Sequence, residues 1–521
     1  MKRRHFLNAA TVLAAGGHVL ASRAEAQGAS GAEPQTFGPE MPDAKPFGFD
    51  HVAELAAERA AQDYVQPVSE LVGSFADLSY DRYRGIRFRR DRDPWGNHDK
   101  FRLDLLGPGA IFNEPVRINV VREGVATPIG FDPAMLDFDP SQFPDGADLA
   151  TVGDMGWSGF RLRTGLNRPG VMDEFLVFQG ASYFRAVARG TIYGLSARGL
   201  AIRTGSPDGE EFPLFTDFWL HEPAEGQDWI RVHAVLDSRS VTGAYQFDIT
   251  PGAQTLIRTR MALFPRVDLA GVGIAPLTSM FWFGPNSRRN VDDYRPAVHD
   301  SDGLQMRTGT GMALWRSLAS HRALQIASFV DRDPQGFGLT QRSREFSTYQ
   351  DAEALYNLRP SGWVEPEGNW GPGEVRLIEI PVENEFNDNI VSYWQPKEAL
   401  SAGNRHEFRY RLTFSELPPV DAPLAEIRQT RAGRSINNSN ARSFIIDYDL
   451  RLFTETLPEI QVSCSAGQIL HAYLKRLPKE DVLRLAFEFQ PGDAQLADLQ
   501  ASLRNKDGLP LSESWMTRWT A

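Results

Sequence analysis

Short stretches in which apolar and charged or polar residues alternate run through most of the chain, and they constrain the fold more than any other feature. Phe101-Arg102-Leu103-Asp104-Leu105 is typical, and similar stretches recur about every ten to fifteen residues as far as Val375–Ile380. Successive side chains of a β-strand point to opposite faces, so this pattern predicts half-buried antiparallel strands with arginine on the wet face. A single helix is expected, from Asp50 to about Asp63. The pattern therefore predicts an all-β fold with a large sandwich and disfavours a parallel α/β sheet.

A domain boundary is predicted between residues 396 and 404. Beyond it, Phe408–Phe414 is the clearest alternating strand of the chain, and several short strands follow. Six or seven strands over about 115 residues are typical of an immunoglobulin-like sandwich, although the Cys-Trp-Cys core signature is missing. We therefore expect a large N-terminal β-sandwich over residues 46–396 and an immunoglobulin-like β-sandwich over residues 404–521.

The first residues have the order of a signal peptide. Arg3-Arg4 precedes a short apolar stretch, and Ala24-Glu25-Ala26 supplies a cleavage site of the A-x-A type. Paired arginines followed by Phe-Leu resemble the twin-arginine class. The alternative is a mildly basic, disordered N-terminus. We expect a twin-arginine signal peptide over residues 1–26, a flexible lead-in over 27–45 that is rich in Gly, Pro and Ala, and a mature protein in the periplasm.

Charge and cysteine content exclude several classes of protein. The formal net charge is −12, which disfavours binding to nucleic acid or to an anionic membrane surface and fits a neutral ligand. After the leader, no apolar run approaches the roughly 20 residues that a membrane helix needs, so no membrane insertion is expected after signal cleavage. The single cysteine, Cys464, excludes an intrachain disulfide and a cysteine-based zinc site. It is expected to be a small buried apolar residue in a strand.

The segment Leu277–Gly303 combines four aromatic residues, three arginines and four aspartates. Aromatic faces stack on sugar rings and carboxylates bind hydroxyls or move protons, so the composition suits a carbohydrate site that includes Trp282 and Asp300. The alternative is a long surface loop with turns at Asp300 and Asp302.

A second segment, Pro381–Trp394, carries Glu385, Asn387, Asp388 and Asn389. Glycoside hydrolysis usually needs two carboxyl groups, one to protonate the leaving oxygen and one to activate water. Asp300 and Asp388 each stand in a polar loop after a strand, so the two loops could form one cleft. Solvated acidic turns and helix caps are the alternative. Between the segments, an aromatic strip that includes Tyr356 and Trp363 suits either a sugar cleft or an ordinary core.

Other motifs point away from metals and nucleotides. Asp300-Ser301-Asp302-Gly303 begins like a calcium loop, but Leu304 and Gly311 stand where oxygen ligands belong. The chain has no H-E-x-x-H, Gly-x-Ser-x-Gly or Walker motif, so neither a metal nor a cofactor is predicted. His221 and His233 lie in apolar strand contexts and are expected to be structural.

With these residues in view, the chain resembles the periplasmic glucan biosynthesis proteins of the OpgG/OpgD (MdoG/MdoD) family. The twin-arginine leader resembles the OpgD branch more than the OpgG branch. Long motifs carry the resemblance over almost the whole mature chain: Phe47–Val52, Leu78–Phe88, Pro115–Asn119, Leu277–Gly303, Ser328–Asp331, Gly336–Leu339, Tyr349–Asp351, Trp363–Pro366 and Asn387–Val391.

The resemblance implies a large sandwich of the galactose-mutarotase-like kind joined to a smaller immunoglobulin-like domain. It also implies action on osmoregulated periplasmic glucans, whose backbone is β-1,2-linked glucose. At the matching positions, Asp388 is the expected general acid and Asp300 the expected general base, acting through a relay of water and a substrate hydroxyl. Tyr356 falls in a matching motif and is a candidate substrate contact. From composition we add further candidate substrate-binding residues: Trp282, Trp363, Glu385, Asn387 and Asn389.

Three functions stay open. The first is an anomer-inverting endo-β-1,2-glucanase. The second is a β-1,2-glucan transglycosylase or cyclising enzyme that uses the same carboxyls. The third is a non-catalytic glucan-binding scaffold for a membrane glucosyltransferase. The polar segment Arg431–Arg442 is a candidate for controlling whether water or a sugar hydroxyl reaches the anomeric carbon. The resemblance also allows a homodimer.

Overall fold

The computed structural model describes residues 47–96, 98–288, 291–419, 423–453 and 457–521. The predicted signal peptide and the lead-in lie outside these residues. The described α-helices are α1 (Phe49–Ala60), α2 (Tyr80–Arg84) and α3 (Phe346–Tyr349). Single 3₁₀ turns occur at Gly73–Phe75, Arg90–Arg92, Pro133–Met135, Tyr356–Leu358, Leu450–Leu452 and Pro478–Glu480.

Strands make up most of the described chain. In chain order they are β1 (Ile86–Phe88), β2 (Phe101–Leu106), β3 (Arg117–Arg122), β4 (Val125–Ile129), β5 (Leu136–Phe138), β6 (Gly159–Thr164), β7 (Asp173–Gln179), β8 (Tyr183–Ala186), β9 (Ser196–Arg198), β10 (Ala201–Ile202), β11 (Leu214–His221), β12 (Ile230–Asp237), β13 (Val241–Thr250), β14 (Thr255–Pro265), β15 (Val272–Ser279), β16 (Phe281–Phe283), β17 (Val298–His299), β18 (Gly303–Arg307), β19 (Ala313–Ser317), β20 (Gln325–Arg332), β21 (Gly336–Thr340), β22 (Ser361–Pro366), β23 (Pro372–Glu379), β24 (Ile390–Pro396), β25 (His406–Ser415), β26 (Ile427–Arg434), β27 (Arg442–Asp449), β28 (Glu459–Cys464), β29 (Gln468–Leu477), β30 (Val482–Gln490), β31 (Leu496–Arg504) and β32 (Ser514–Thr520).

Two large sheets form the main sandwich. One has ten strands, in the order β2-β6-β7-β8-β9-β15-β24-β23-β20, with β10 paired to β15 beside this path. The other has fourteen strands, in the order β28-β31-β32-β19-β18-β21-β22-β25-β14-β13-β12-β11-β3-β4. The principal core draws its buried apolar side chains from both sheets, for example Phe160 and Phe178 from the first and Phe218 and Phe247 from the second. The predicted all-β class and its sandwich arrangement are thus confirmed.

The C-terminal part adds a second, smaller core. A four-stranded sheet, β26-β27-β30-β29, contributes Phe444 and Phe487, and strands β31 and β32 contribute Leu499 and Trp515. Parallel pairing of β19 with β32 joins this part to the fourteen-stranded sheet. Within the described residues, no helix is long and apolar enough to cross a membrane.

Strand β25 departs from the predicted boundary. We assigned it to the second domain, but it pairs with β14 on one side and with β22 on the other. Its buried residues Tyr410, Leu412 and Phe414 belong to the principal core. Alternation predicts where a strand lies but carries no information about its partner, so a boundary placed directly before this strand was wrong. The division into two domains otherwise stays a prediction.

Two smaller expectations are also corrected. Helix α1 has Gly48 rather than Asp50 at its N-cap, and it ends at Ala60. Cys464 lies in β28 as predicted but is partly exposed, because β28 is the last strand of its sheet. The polar segment 431–442 forms the tip of the hairpin of β26 and β27, with residues 431–434 and 442 paired and residues 435–441 in the turn. Its Ala432 backbone N–H donates to the carbonyl of Pro285 at 3.1 Å, so the hairpin contacts the first candidate segment.

Candidate active site

The two polar segments meet because of how β15 and β24 pair. These neighbouring strands are antiparallel, with Ser279 opposite Ile390. The chain that leaves β15 and the chain that enters β24 therefore lie at one end of the same strand pair. The backbone N–H of Asn389 donates to the Ser279 carbonyl at 3.0 Å, and the N–H of Asp300 donates to the Met280 carbonyl at 2.8 Å. Both candidate aspartates are thus fixed to the end of β15.

Asp388 is buried except for a small opening, with 11% of its side chain exposed. Its Oδ2 lies 3.4 Å from Nη2 of Arg185, which stands on β8. Burial raises the pKa of Asp388, and Arg185, Arg198 and Arg359 oppose that rise in decreasing order. The carboxyl therefore tends to hold its proton, which is what a general acid needs.

Asp300 lies deeper, with 3% of its side chain exposed. Its Oδ1 is 3.3 Å from Nη1 of Arg359, yet this oxygen accepts no hydrogen bond from the described residues. Burial raises the pKa of Asp300, Arg359 lowers it, and the negative charge of Asp388 raises it further. Arg185 has a weaker lowering effect.

The two carboxyls share one electrostatic environment. Arg185 and Arg359 each lower the pKa of both, and the charge of Asp388 acts directly on Asp300. The backbone bonds of Asp300 and of Asn389 to the end of β15 place both carboxyls at that strand end. The structure therefore brings together the two aspartates that stand 88 positions apart in the chain (388 − 300).

Glu385 and Tyr356 belong to a buried network beside this pair. Oε2 of Glu385 lies 2.6 Å from Nη1 of Arg295, which is also 2.7 Å from Asp351. The Tyr356 hydroxyl donates to Glu385 at 3.2 Å, and the Arg359 guanidinium lies 5.1 Å from the centre of the Tyr356 ring. Arg295 thus compensates the charge of Glu385, and burial is the main cause of the raised pKa of Asp388.

Two of the candidate substrate contacts have almost no exposed side-chain surface in this structure. Tyr356 is completely buried, and Glu385 is buried with its carboxylate paired. Both lie next to the carboxyl pair, since Glu385 and Asp300 each raise the pKa of the Tyr356 hydroxyl. Contact with a sugar at either residue requires local opening.

Asn389 positions the loop instead of facing a ligand. It is 1% exposed, and its amide forms three hydrogen bonds to backbone. Its Oδ1 accepts from the Phe281 N–H, while its Nδ2 donates to the carbonyls of Phe281 and Ile380 at 3.0 and 2.8 Å. The prediction that Asn389 binds substrate is therefore corrected. Asn387, by contrast, is only half-buried and directly precedes Asp388.

The two candidate tryptophans have different surroundings. Trp363 lies in β22 at 2% exposure, and its ring covers Gly336 of β21 so closely that an added Cβ would come within 2.3 Å of it. It is a core residue, which corrects the prediction of a substrate contact. Trp282 is half-buried in β16, with its ring 5.0 Å from that of Phe283, and it keeps an accessible part.

Sequence reasoning missed the arginines that set the charge of the site. Arg185 and Arg198 occupy alternate positions of β8 and β9, where the pattern predicts solvent-facing residues, but both are buried. Arg295 and Arg359 lie in irregular segments, and both are buried as well. One available signal was the closeness in sequence of Arg359 to Tyr356, because arginine often packs on aromatic faces and Arg359 packs on this ring.

Among the described residues, no group of three or more His, Cys, Asp or Glu side chains is arranged to hold a metal ion. Asp302, the second aspartate of the calcium-like motif, accepts hydrogen bonds from the backbone N–H groups of Arg342 and Ser343. His221 and His233 bond to each other at 2.9 Å beneath Phe47, as structural residues do.

Comparison with known proteins covers nearly the whole described chain. Residues 47–519 match the family model described as "Periplasmic glucan biosynthesis protein, MdoG". The glucans biosynthesis protein G of Vibrio cholerae is 44% identical over 481 residues, which cover 91% of this chain and 87% of that protein. The proteins of the same name from Shewanella frigidimarina and Shewanella baltica are each 43% identical, over 91% of this chain and 85% and 87% of theirs.

These matches confirm the resemblance that the motifs carry, while the assignment to the OpgD branch stays a prediction. Identity above 40% over nine-tenths of the chain leaves no room for a different fold or a partial match. This chain belongs to the MdoG family of periplasmic glucan biosynthesis proteins.

Proposed function

We propose that this protein is a periplasmic glycoside hydrolase that cleaves the β-1,2-glucan backbone with inversion at the anomeric carbon. The observation that carries the proposal is the pair of buried carboxyls, Asp300 and Asp388, which share a field of arginines and both have raised pKa values. Paired carboxyls in unequal environments are what glycoside hydrolysis requires. The neutral glucan also fits the acidic net charge of the chain.

In the proposed reaction Asp388 is the general acid. Its proton goes to the glycosidic oxygen as the bond from that oxygen to the anomeric carbon breaks. A water molecule attacks the opposite face of the sugar, and its proton passes to Asp300. Because Asp300 is almost fully buried, we place a substrate hydroxyl and a water between it and the attacking water. Its Oδ1, which accepts no hydrogen bond from the described residues, is the acceptor for that relay.

The surrounding residues keep the acid and the base in place. Arg359 holds Asp300 from one side, and Asn389 fixes the turn that carries Asp388. The Glu385–Arg295 pair removes a negative charge that would otherwise act on both aspartates. Trp282 and Asn387, which are both half-buried, are the proposed contacts for the sugar ring and its hydroxyls.

The decisive experiment uses linear β-1,2-glucan and separates its products by chromatography, with the anomeric configuration followed by NMR. Wild type should release short linear reducing products of inverted configuration. Asp388→Asn and Asp300→Asn should bind the polymer and leave it intact. Asp208→Asn is the control for loss of a carboxylate, because Asp208 is exposed in a turn and lies in neither candidate segment. If the wild-type protein leaves the polymer intact, the proposal of a hydrolase is refuted.

A transglycosylase is the second candidate, and the relatives favour it by name. They are called glucans biosynthesis proteins, and transfer of a glucan chain to a sugar hydroxyl serves synthesis rather than breakdown. The same two carboxyls would act, with the sugar hydroxyl in place of water. Cyclic or lengthened products in the same chromatogram would establish this reaction instead. If the protein binds the glucan without turnover, and Asp388→Asn does not change this binding, the remaining function is that of a scaffold for a membrane glucosyltransferase.

A further inference from the structure

A cavity lies between segments 69–83 and 110–113, and we call it the aromatic cleft. It has a volume of about 750 Å³. Tyr80, Tyr83 and Phe112 are half-buried in its walls, so each ring keeps an accessible part, and Ile111 is exposed. Neither Asp300 nor Asp388 lines it.

The walls of the aromatic cleft are tied together by hydrogen bonds. The Ser69 backbone N–H donates to the Asn113 carbonyl at 3.1 Å, which joins the two segments. The Tyr83 hydroxyl donates to the Gly107 carbonyl at 2.9 Å and accepts from Nε2 of Gln179 at 2.7 Å. The rings of Tyr83 and Phe112 lie 5.6 Å apart. The cleft is therefore formed before any ligand arrives, which lowers the entropic cost of binding.

The lining identifies the chemical class of the ligand. Asp77 is the only charged side chain among the described residues that line the cleft, and the Arg84 guanidinium, 5.9 Å from the centre of the Tyr80 ring, is not part of this lining. The remaining surface combines aromatic rings with the hydroxyl of Ser69 and the amide of Asn113. Such a mixture suits a neutral ligand that is rich in hydroxyl groups and has apolar C–H faces.

The aromatic cleft and the carboxyl pair lie along the same face of the ten-stranded sheet. Arg185, which contacts Asp388, is opposite Val177 in the pairing of β7 and β8. Gln179, which contacts Tyr83, lies two residues beyond Val177 on the same face. Asp388 itself directly precedes β24, which lies four strands from β7 in the order β7-β8-β9-β15-β24. At about 4.8 Å between neighbouring strands the two places are roughly 20 Å or more apart, so an extended polymer chain, but not a short oligosaccharide, can reach both.

The turn between β7 and β8 brings the cleft close to that face. Gly180, at φ +79°, begins this turn, and a Cβ added to it would lie 3.2 Å from the Phe112 ring. A side chain at this position would be strained by the backbone and would push against the ring. The absence of a side chain thus lets Phe112 sit directly over the end of the two strands.

We infer that the aromatic cleft is a remote subsite for the glucan chain whose bond lies at Asp300 and Asp388. It would bind sugar units well away from the reacting bond and make affinity increase with chain length. This inference rests on the proposed function, since it takes the ligand to be the same neutral glucan.

The test measures binding without turnover, by titration calorimetry in an Asp388→Asn background. A short β-1,2-linked oligosaccharide, which fills only the carboxyl site, is compared with long linear β-1,2-glucan. Phe112→Leu removes the aromatic face but keeps an apolar side chain, and it should weaken binding of the long chain by about three- to tenfold. Affinity for the short oligosaccharide should not change. Phe112→Tyr, which keeps the ring, is the matched control and should bind like the parent.

Tyr80→Leu provides a second, independent variant on the opposite wall and should show the same selective loss. Thermal unfolding of each variant reports whether the fold is intact, and a Phe112 variant that fails to fold leaves Tyr80→Leu to decide. Equal binding of the long chain by both Leu variants and the parent would overturn the subsite alone. Failure of the Asp388→Asn protein to bind any β-1,2-glucan would overturn the proposed function and the subsite with it.

Discussion

Arg185 offers the most direct test of how the site controls proton transfer. Its guanidinium is the strongest charge acting on Asp388 and the weakest of those acting on Asp300. Replacement by methionine keeps much of the length of the side chain and removes the charge. If Asp388 is the acid of the proposed hydrolysis, Arg185→Met should raise the pKa of this group and extend activity to higher pH.

The magnitude follows from the geometry. Nη2 of Arg185 lies 3.4 Å from Oδ2 of Asp388, and the two side chains are 8% and 11% exposed. Opposite charges about 4 Å apart attract by about 4 kcal/mol at an effective dielectric constant of about 20, which is an upper limit here. Measured effects of a cation at such distances lower a carboxyl pKa by about 1–3 units. Loss of Arg185 should therefore raise the pKa of Asp388 by about 1–3 units.

The sign follows from the role of each carboxyl. A general acid is active while protonated, so a higher pKa moves the alkaline limb of the pH–rate profile upward. A general base is active while ionised, so the acidic limb follows Asp300. Arg185 acts on Asp300 only weakly, and this limb should move upward much less. The bell-shaped profile should therefore become wider on its alkaline side.

The assay follows the release of reducing ends from linear β-1,2-glucan as a function of pH, with kcat/KM as the quantity plotted. Arg163→Met is the matched control, because Arg163 lies on the same sheet face but is bonded to Asp104. An unmoved alkaline limb in an active, folded Arg185→Met protein would refute the assignment of Asp388 as the titrating acid.

Three further predictions concern buried polar residues. Asn389→Leu should lower the free energy of unfolding by about 2–4 kcal/mol and abolish turnover, because it leaves buried backbone groups unpaired. Asn387→Leu should be nearly neutral in the same chemical denaturation experiment. Arg342→Met should destabilise the protein by about 3–5 kcal/mol in the same assay, since it leaves Glu513 buried without its partner at 2.7 Å, and a second change, Glu513→Gln, should recover part of the loss. Burial raises the pKa of Asp302 from 3.8 to about 6, so the folded protein keeps a proton there that the unfolded chain loses, and the unfolding free energy contributed by this group falls as pH rises through that window. Asp302→Asn should remove this part of the pH dependence when denaturation is measured below and above the window; an unchanged pH dependence would contradict the assignment.

The strands could be predicted from sequence because their signal is local. Alternation predicted Phe101–Leu105 and Phe408–Phe414, and the structure has Phe101–Leu106 and His406–Ser415. The partner of a strand is not a local property, which explains the misplaced boundary before β25. The pattern predicts that one face of this strand is buried but not which sheet buries it.

The site was predictable only in part for the same reason. Asp300 and Asp388 could be selected from composition, because polar residues cluster unusually in their two segments. In the sequence, the buried arginines look like ordinary solvent-facing residues of a strand. Their burial depends on loops that fold over the outer face of the sheet, and a local pattern does not show these loops. Trp363 shows the converse error. Its aromatic context suggested a cleft, but the glycines of a strand that lies next to it only in the folded protein make room for its ring.

The identities of acid and base do not follow from the raised pKa values alone. Burial raises both, and the charge of Asp388 makes the loss of a proton from Asp300 harder, so the pair titrates as a coupled unit. Accessibility breaks this symmetry, because Asp388 opens toward the surface while Asp300 is almost closed off. A leaving oxygen can thus approach Asp388 directly, while Asp300 needs a relay. Arg185 is the strongest charge acting on Asp388 and the weakest of those acting on Asp300, so the unequal movement of the two limbs in Arg185→Met distinguishes them. A larger shift of the acidic limb would exchange the two roles.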